Sequence, residues 1–428
     1  MDGATARPVV GLFGAFDTGD LGEVALRRVL EEELRRRRPD IDLVALAPLG
    51  AERPIPGDEG RPARPLPPGA SIDSLGLDAL IITGDVLGDE QHWKARYPTA
   101  PEVVADRAVV TLVLTGTRSG QNAAPVVTWF AVGAVGGEVD LNALHGRSVW
   151  ARDPATEQQL GSAAVQSGDP LLLAGRVFAP DALRRRLDLL RMCGAVPAGR
   201  RVVIETASGL AASPTSEHLL AAVTSELHRD PKLAVVIATL NPTGQPLDSM
   251  VRVAGLIAER VHRLPAWVGL DDIAAAMSGS VAVIATSPAG AHLATSLGVP
   301  AGAVETGLGD HFDPAIPMLS LDGPDALKAL VAGGHPAATE KTIATLDGAL
   351  AELADRLPRT AAADRTDPEA EEASALAVLQ QRLVDERTAL QAELSRVQAE
   401  LDHLRASPEH RLAEPIREGY RRWQRRRT

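Results

Sequence analysis

Acidic residues and glycines follow the first predicted strand, in residues 11–23 (GLFGAFDTGDLGE). Glycines let a backbone approach a ligand closely, and the N-terminus of the next helix offers N–H groups to an anion or a hydroxyl-rich ligand. Asp17, Gly19 and Asp20 are therefore candidate ligand contacts, with Asp20 a candidate catalytic base. The competing interpretation is structural: Asp20 caps the helix and the glycines form the turn. The glycine spacing does not fit a dinucleotide-binding fingerprint.

A second acidic segment, residues 83–89 (TGDVLGD), stands at the carboxyl end of another predicted strand. Ligands of open α/β sheets bind at that edge, so Gly84 and Asp85 are candidate site residues. Asp85 could accept a hydrogen bond from a sugar hydroxyl or act as a general base. A solvated loop is the alternative. Gly133, in the run AVGAVGGE, marks a further strand end of the same kind.

Arg152 and Asp153 follow the predicted strand SVWA. An arginine in a cleft can hold a carboxylate or a phosphate through paired hydrogen bonds. The alternative is a structural Arg–Asp pair that fixes the following helix. Arg152 is therefore a candidate substrate-binding residue, with the structural pair left open.

The last candidate site is residues 285–300 (ATSPAGAHLATSLGVP), in which a strand runs through a small-residue turn into a helix. Ser287 and Gly290 stand at the helix N-terminus, and His292 follows within the first turn and a half. Helix dipole, N–H groups and a titratable imidazole together suit a phosphate, so we expect His292 to face a ligand rather than the core. A structural histidine is the alternative.

Apolar runs alternate with helical periodicity along the first 357 residues, which predicts two Rossmann-like doubly wound lobes of class α/β. We predict an N-terminal acceptor lobe at residues 1–170 and a donor lobe at residues 171–357, with a ligand cleft between them. The predicted strands are residues 8–13, 41–46, 78–83, 108–114, 126–132, 148–151, 202–204, 233–237 and 281–284. Predicted helices are residues 21–36, 217–227 and 271–277, and another begins near residue 154.

Composition excludes several classes of protein. The chain has 428 residues, of which 45% are hydrophobic and 23% charged, and its net charge of −12 disfavours a nucleic-acid partner. The single Cys193 excludes an internal disulfide and any multi-cysteine metal site. Neither a metal site nor a cofactor is predicted, and no apolar run reaches the roughly 20 residues of a membrane span. We expect a cytoplasmic protein.

The region after residue 357 changes character. Residues 358–374 are polar and acidic and predict a flexible linker. Leucines recur through residues 375–406 at steps typical of a coiled coil, which would pair two chains, although a hairpin packed on the body is the alternative. Residues 407–428 form a basic, aromatic tail suited to an anionic membrane surface; a solvated end is the alternative.

The motifs together resemble the polysaccharide pyruvyl transferase family, over residues 8–305 and in the family's order. The resemblance rests on GAFDTGDLGE, DALIITGDVLGD, PVVTWFAVGAVGG, SVWARD and the segment GLDDIAAAMSGSVAVIATSPAGAHLATSLGVP. It implies a GT-B-like fold and a donor site to which His292 contributes. Ser287, Pro288 and Ala289 stand where the family has an arginine.

The resemblance also implies the reaction: pyruvate passes from phosphoenolpyruvate to sugar hydroxyls as a ketal during cell-surface polysaccharide synthesis. The partners would be phosphoenolpyruvate and a lipid-linked or polymeric sugar, which places the protein at the inner face of the membrane. The stretch GAHLA also resembles the donor-phosphate turn of heptosyltransferase-type enzymes, so transfer from a nucleotide-sugar is the alternative. A third possibility is a non-catalytic sugar-binding or scaffold protein. It is favoured because residues 287–289 lack the arginine that the family has there.

Overall fold

The computed structural model describes residues 6–50, 63–65, 75–87, 93–94, 96–97, 126–134, 149–206, 214–240, 258–265, 268–304, 316–319, 325, 327–332 and 340–359. These residues belong to one compact unit that spans residues 1–363. They form two parallel β-sheets with helices packed on them, one sheet in each lobe.

The first lobe is built on a seven-stranded sheet in the order β3-β2-β1-β4-β5-β6-β7, and every described strand pair in it is parallel. Its strands are nearly all apolar because both faces of the sheet are covered. The strands are β1 Val9–Phe13, β2 Asp42–Ala47, β3 Arg64–Pro65, β4 Ala79–Leu87, β5 Val126–Ala134, β6 Val149–Ala151 and β7 Ala164–Gln166.

The second lobe repeats the pattern with a five-stranded parallel sheet in the order β10-β9-β8-β11-β12. In both sheets the strand order reverses beside the first strand of the lobe, and this switch point is where open α/β sheets bind ligands. The strands are β8 Arg201–Thr206, β9 Ala234–Thr239, β10 Val261–Arg263, β11 Ala282–Ala285 and β12 Ala301–Ala303.

Helices connect the strands and cover both sheets. The described helices are α1 Leu21–Arg37, α2 Pro154–Leu160, α3 Ala174–Val177, α4 Pro180–Met192, α5 Pro214–Arg229, α6 Leu270–Ser278, α7 Pro288–Ser296, α8 Lys328–Val331 and α9 Glu340–Arg356. A short 3₁₀ helix, Pro170–Leu173, lies between the lobes.

Helix α1 shows how the sequence produces these elements. Leu26, Leu30 and Leu34 recur every fourth residue and are buried against the sheet, in one hydrophobic cluster with residues of β1. Asp20 caps the N-terminus of α1, and three arginines in the last turn complement the helix dipole.

The last described helix, α9, returns to the first lobe. Asp347 of α9 bonds to Arg37 of α1 at 2.6 Å and to Arg176 of α3 at 2.7 and 2.8 Å. Arg38 donates hydrogen bonds to the carbonyls of Ala354 and Leu357 at the end of α9. Residues 340–357, assigned from sequence to the second lobe, therefore contact the first lobe.

The predicted fold class is confirmed: both lobes are Rossmann-like parallel sheets. The predicted strands match described strands except for residues 108–114, which lie outside the described residues. The linker from residue 360, the coiled coil and the basic tail also lie outside them. In the described part of the chain, no helix combines the length and apolar character that crossing a membrane requires.

Candidate functional site

The N-termini of α1 and α7, one from each lobe, meet at the cleft. The Leu21 N–H at the start of α1 donates to the carbonyl of Leu240, which follows β9 of the second lobe, at 2.7 Å. A Cβ built on Gly22 would lie 2.9 Å from Cβ of Ala289 in the first turn of α7. The two segments that sequence analysis selected, around Asp20 and around Ser287, are therefore neighbours.

Asp20 and Asp17 are both held by local hydrogen bonds. Asp20 accepts a bond from the Gly22 N–H at 2.8 Å, so it is the helix cap that the structural interpretation expects. Its side chain nevertheless keeps 24% of its surface exposed, and burial raises the pKa of its carboxyl. Asp17 accepts bonds from the Tyr97 hydroxyl and the Leu49 N–H, both at 2.6 Å, and burial raises its pKa as well.

Glu23, Arg96 and Asp85 form a compact cluster beside Asp20. The buried Glu23 Oε1 accepts bonds from Arg96 Nη2 at 3.0 Å and from the Asp85 N–H at 3.1 Å. Arg96 also donates to the carbonyl of Asp85 at 2.8 Å and lies 4.0 Å from Asp20. Burial raises the pKa of Glu23, with Asp85 and Asp20 adding to the rise. Asp85 lies within β4 rather than in the solvated loop offered as its alternative.

Arg152 links this cluster to the interior between the lobes. Its Nη2 bonds to Oδ1 of Asp85, and its Nε lies 3.7 Å from carboxylate oxygens of both Asp153 and Asp169. Asp153 in turn caps α2 by accepting the Thr156 N–H at 2.8 Å. The side chain of Arg152, 11% exposed, is thus already surrounded by three carboxylates.

His292 is buried instead of facing the open cleft. Its side chain is 1% exposed, and Nδ1 lies 2.9 Å from Oδ2 of Asp169. Asp169 also caps the 3₁₀ helix by accepting the Leu171 N–H at 2.8 Å. Burial acts to raise the pKa of Asp169, but the charge and hydrogen bond of His292 together with Arg152 lower it. The expectation of a ligand-facing imidazole is corrected to a buried His–Asp pair between the lobes.

Glu205, at the carboxyl end of β8, occupies the N-terminus of α7. Its Oε2 accepts the N–H groups of Thr286 and Ser287, each at 3.1 Å, while Ser287 Oγ caps α7 by accepting the Gly290 N–H at 3.1 Å. Glu205 is fully buried, and no residue donates a hydrogen bond to its Oε1 in the described part of the chain. Burial raises the pKa of Glu205 to about 7, and the charge of Asp20 adds to the rise.

The glycines of the candidate site make room for these charged groups. A Cβ on Gly84 would lie 2.2 Å from Oε2 of Glu23, and one on Gly290 would lie 2.6 Å from Oε2 of Glu205. At Gly133 a Cβ would lie 2.3 Å from Oδ1 of Asp85. Gly84, Gly133 and Gly290 were predicted as ligand contacts, and the structure brings their backbones against protein side chains. Gly19 has a positive φ of 78°, so it forms the turn before Asp20.

The strands that carry the cluster are irregular at this edge. The pairing of β4 with β5 shifts register between Ile82 and Gly84 and again before Leu87. Ala131 of β5 has φ +51°, the left-handed region that a non-glycine residue rarely adopts. Bulges and backbone strain of this kind concentrate beside functional sites, because they redirect side chains out of the regular strand pattern.

Carboxyl groups outnumber cations in the assembled cluster, which contains Asp20, Glu23, Asp85, Asp153, Asp169, Glu205, Arg96, Arg152 and His292. Three of the carboxyls, Asp20, Glu23 and Glu205, have raised pKa values. Such groups can accept hydrogen bonds from hydroxyls, and Glu205, with a pKa of about 7, can exchange a proton near neutral pH. Among the described residues, no group of three or more acidic, cysteine or histidine side chains is arranged to hold a metal ion.

Sequence reasoning missed Glu23, Arg96, Asp169 and Glu205 as site residues. Glu205 ends the apolar strand RVVIE, so the strand-end rule that selected Asp85 could have found it. Asp169 follows β7, a strand that the sequence analysis did not predict. Glu23 ends the selected segment 11–23 but was not singled out, and Arg96 reaches the cluster through tertiary contacts for which the sequence carries no signal.

No protein-family model matches the chain, and no curated protein matches it in sequence. Solved structures resemble it distantly. A UDP-N-acetylglucosamine 2-epimerase described as putative, from Listeria monocytogenes, is 10% identical with a TM-score of 0.48, over 83% of this chain and 93% of that one. UDP-GlcNAc 2-epimerase from Neisseria meningitidis is 12% identical with a TM-score of 0.47, over 82% and 99%. E. coli ADP-heptose lps heptosyltransferase II is 14% identical with a TM-score of 0.41, over 76% and 98%.

Proposed function

We propose that this chain is a transferase that joins a group to a sugar hydroxyl in the cleft between its lobes, and that the group is pyruvate from phosphoenolpyruvate. The motif resemblance to polysaccharide pyruvyl transferases supports the choice of donor. The observation that carries the proposal is the contact between the N-terminus of α1, which Asp20 caps, and the N-terminus of α7, where Glu205 accepts the Ser287 N–H. The Leu21 N–H bonds to the Leu240 carbonyl at 2.7 Å, and a Cβ on Gly22 would lie 2.9 Å from Cβ of Ala289.

Ketal formation needs a base and an acid on opposite sides of the reacting carbon. A sugar hydroxyl adds to C2 of the enol phosphate, its proton passes to a carboxylate, and C3 gains a proton to become a methyl group. A second hydroxyl then forms a bond to C2 as the bond from C2 to the phosphate oxygen breaks, which closes the ketal. Its proton leaves with the inorganic phosphate. Asp20 and Asp85 are the candidate bases, and Glu205, with a pKa of about 7, is the candidate acid at C3.

Glycosyl transfer from a nucleotide-sugar is the second candidate, and one observation favours it. Arg96 and Arg152 are already bonded to Glu23 and Asp85, so they are not free to take both the carboxylate and the phosphate of phosphoenolpyruvate. A nucleotide-sugar carries its charge on the diphosphate alone. The N-terminus of α7 could then hold the diphosphate while the carboxylates accept sugar hydroxyls.

Ligand-dependent unfolding of the purified full chain separates these reactions. We expect phosphoenolpyruvate to raise the melting temperature, since a ligand that binds only the folded chain stabilises it. With a hydroxyl-bearing acceptor, release of inorganic phosphate would identify pyruvyl transfer, and release of a nucleoside diphosphate from UDP- or ADP-sugars would identify the second reaction. If neither donor stabilises the chain, the non-catalytic sugar-binding protein becomes the better description.

A further inference from the structure

We propose that an anionic group binds at the N-terminus of α7 only together with a proton taken up by Glu205, so that anion binding loads the cleft with an acid. The inference rests on the proposed function, because the anion there would be the phosphate of the donor. It concerns Glu205 and a coupling between ligand and proton, neither of which the motifs indicated.

The carboxylate of Glu205 lies where an anion would have to bind. The N–H groups of Thr286 and Ser287 both point to its Oε2 at 3.1 Å, so the donors that precede α7 are already used. Gly290 leaves the space for this carboxylate, since a Cβ there would lie 2.6 Å from Oε2. Its other oxygen, Oε1, is buried and has no hydrogen-bond partner within the described ranges. A buried carboxylate oxygen without a partner is costly, and protonation or a ligand would relieve that cost.

The charges around Glu205 oppose a second anion. Asp20, at the start of α1 in the first lobe, is a negatively charged neighbour that raises the pKa of Glu205. Strands β9 and β11 flank β8 and place the neutral Ala238 and Ala285 beside it. Helix α7 contributes the Ser287 hydroxyl and His292, which is held by Asp169.

A dianion arriving at α7 therefore meets two carboxylates. The helix dipole attracts it, but the N–H groups of Thr286 and Ser287 are held by Glu205. Protonation of Glu205 removes the nearer charge, and a proton on Oε1, which has no partner among the described residues, makes that oxygen a hydrogen-bond donor to the anion. Because burial raises the pKa of Glu205 to about 7, this protonation is accessible near neutral pH. The bound anion raises that pKa further, so the proton remains while the anion stays. The protonated carboxyl is then positioned to act as the acid that the proposed reaction needs.

Proton coupling of this kind gives a defined pH dependence. If binding requires one proton on a group that titrates near pH 7, the affinity is constant well below pH 7 and falls about tenfold for each pH unit above it. A glutamine at position 205 is neutral at every pH, so it removes the dependence. Sulfate is a suitable probe because it remains a dianion throughout this range, and any pH effect then belongs to the protein.

The test measures sulfate-dependent stabilisation of the full chain at pH 6, 7, 8 and 9, with sodium chloride at equal ionic strength as reference. For the unaltered chain we expect the sulfate concentration at half-effect to rise about tenfold between pH 8 and pH 9. For Glu205→Gln we expect the same half-effect concentration at all four pH values. Glu352→Gln, in an exposed pair with Arg356 on α9, is the matched control and should behave like the unaltered chain.

Three results would overturn the inference: sulfate binding independent of pH in the unaltered chain, the same pH dependence in Glu205→Gln, or no sulfate effect at pH 6. If Glu205→Gln fails to fold, Asp20→Asn replaces it. Loss of the Asp20 charge should lower the pKa of Glu205, so sulfate binding should begin to weaken at a lower pH than in the unaltered chain. The test of the proposed function is independent of the test of proton coupling. Sulfate can bind as expected while phosphoenolpyruvate and an acceptor release no phosphate, which would reject the reaction and retain the coupling.

Discussion

Glycines near strand ends and helix N-termini are usually interpreted as points where a backbone approaches a ligand, and here three of them accommodate charged side chains of the protein itself. Gly84 faces Glu23, Gly133 faces Asp85 with Arg152, and Gly290 faces Glu205. Each glycine thus allows a carboxylate to lie against the backbone at the edge of the sheet. The groups that can do chemistry at this edge are therefore the side chains for which the glycines leave space.

Gly133→Ala tests this role directly. The new methyl group would lie 2.3 Å from Oδ1 of Asp85 and 2.6 Å from Nη2 of Arg152, so the pair must separate. We expect the free energy of unfolding to fall by roughly 1–3 kcal/mol, as for other overpacked buried sites. Gly348→Ala on the exposed face of α9 is the control, because a Cβ there meets nothing within 4 Å. Gly348→Ala should instead raise the free energy of unfolding by roughly 0.5–1 kcal/mol. Denaturant titration measures the change in both variants.

Glu205 makes stability depend on pH in a predictable direction. Its pKa rises from an ordinary 4.5 to about 7 on folding, so the folded chain holds a proton more tightly than the unfolded chain. Proton binding by Glu205 therefore contributes to the free energy of unfolding. This contribution is fully present below pH 4.5 and is lost as the pH rises through 7, and the loss is about 3 kcal/mol. Glu205→Gln should therefore gain stability relative to the unaltered chain between pH 5 and pH 8. If the free energy of unfolding changed with pH in the same way for the two proteins, Glu205 would be ionised in both the folded and the unfolded chain.

At the scale of elements, one residue both starts a helix and faces the cleft. Asp20 caps α1 through the Gly22 N–H, and its carboxyl lies 4.0 Å from Arg96. Because a cap needs only an acceptor oxygen, asparagine can replace aspartate in that role but cannot take up a proton as a base.

Two substitutions at Asp20 separate these roles. Asp20→Ala should lower the unfolding free energy by about 1 kcal/mol, because the N–H of Gly22 loses its acceptor. Asp20→Asn should be at least as stable as the unaltered chain, since it keeps the cap and removes a carboxylate whose burial outweighs its attraction to Arg96. If Asp20 is the base, Asp20→Asn also loses transfer activity in the phosphate-release assay. Full activity of Asp20→Asn would leave the residue a cap only.

The sequence predicts the long strands and loses most of the short ones. β1, β4 and β8 are apolar runs of five to nine residues, and their apolar character and flanking turns can be recognised without a structure. β7, β10 and β12 have three residues each, too few to show a period, and of the three-residue strands only β6 was predicted among those described. The return of α9 to the first lobe depends on contacts such as Asp347 with Arg176, more than 170 residues apart in sequence. Long-range pairings of this kind also explain why Arg96 was missed.

At the scale of the molecule, ionic contacts cross between the lobes. Arg28 of α1 bonds to Asp271 of α6 at 2.8 Å, and Asp169, after β7, bonds to His292 of α7. The second contact is buried on both sides, so neither partner can be rehydrated without separating the elements that carry them. A buried pair of this kind is expensive to break from one side only.

Removal of His292 should therefore destabilise the protein. His292→Ala leaves Asp169 buried without its partner, and we expect a loss of roughly 3–5 kcal/mol in unfolding free energy. Asp169→Asn keeps the acceptor for the Leu171 N–H while removing the charge, so it serves as the second arm of a double-mutant cycle. The two losses should be less than additive by more than about 1 kcal/mol. Additive losses, or a melting temperature of His292→Ala within a few degrees of the unaltered chain, would show that the pair does not join the lobes.

The composition of the C-terminal tail predicts binding to an anionic membrane surface. Residues 409–428 contain seven arginines and three glutamates, a net charge of +4, whereas the preceding 408 residues carry −16. Tyr420 and Trp423 lie among the arginines, and basic and aromatic residues together suit an anionic headgroup layer, where each basic residue contributes about 1 kcal/mol. We expect the full chain to sediment with anionic vesicles at low salt and a chain ending at Ala406 to remain in solution.

Neutral vesicles are the control, and added salt should release the full chain because the attraction is screened. Equal sedimentation of the two chains, or binding to neutral vesicles alone, would mean that the tail is only a solvated end.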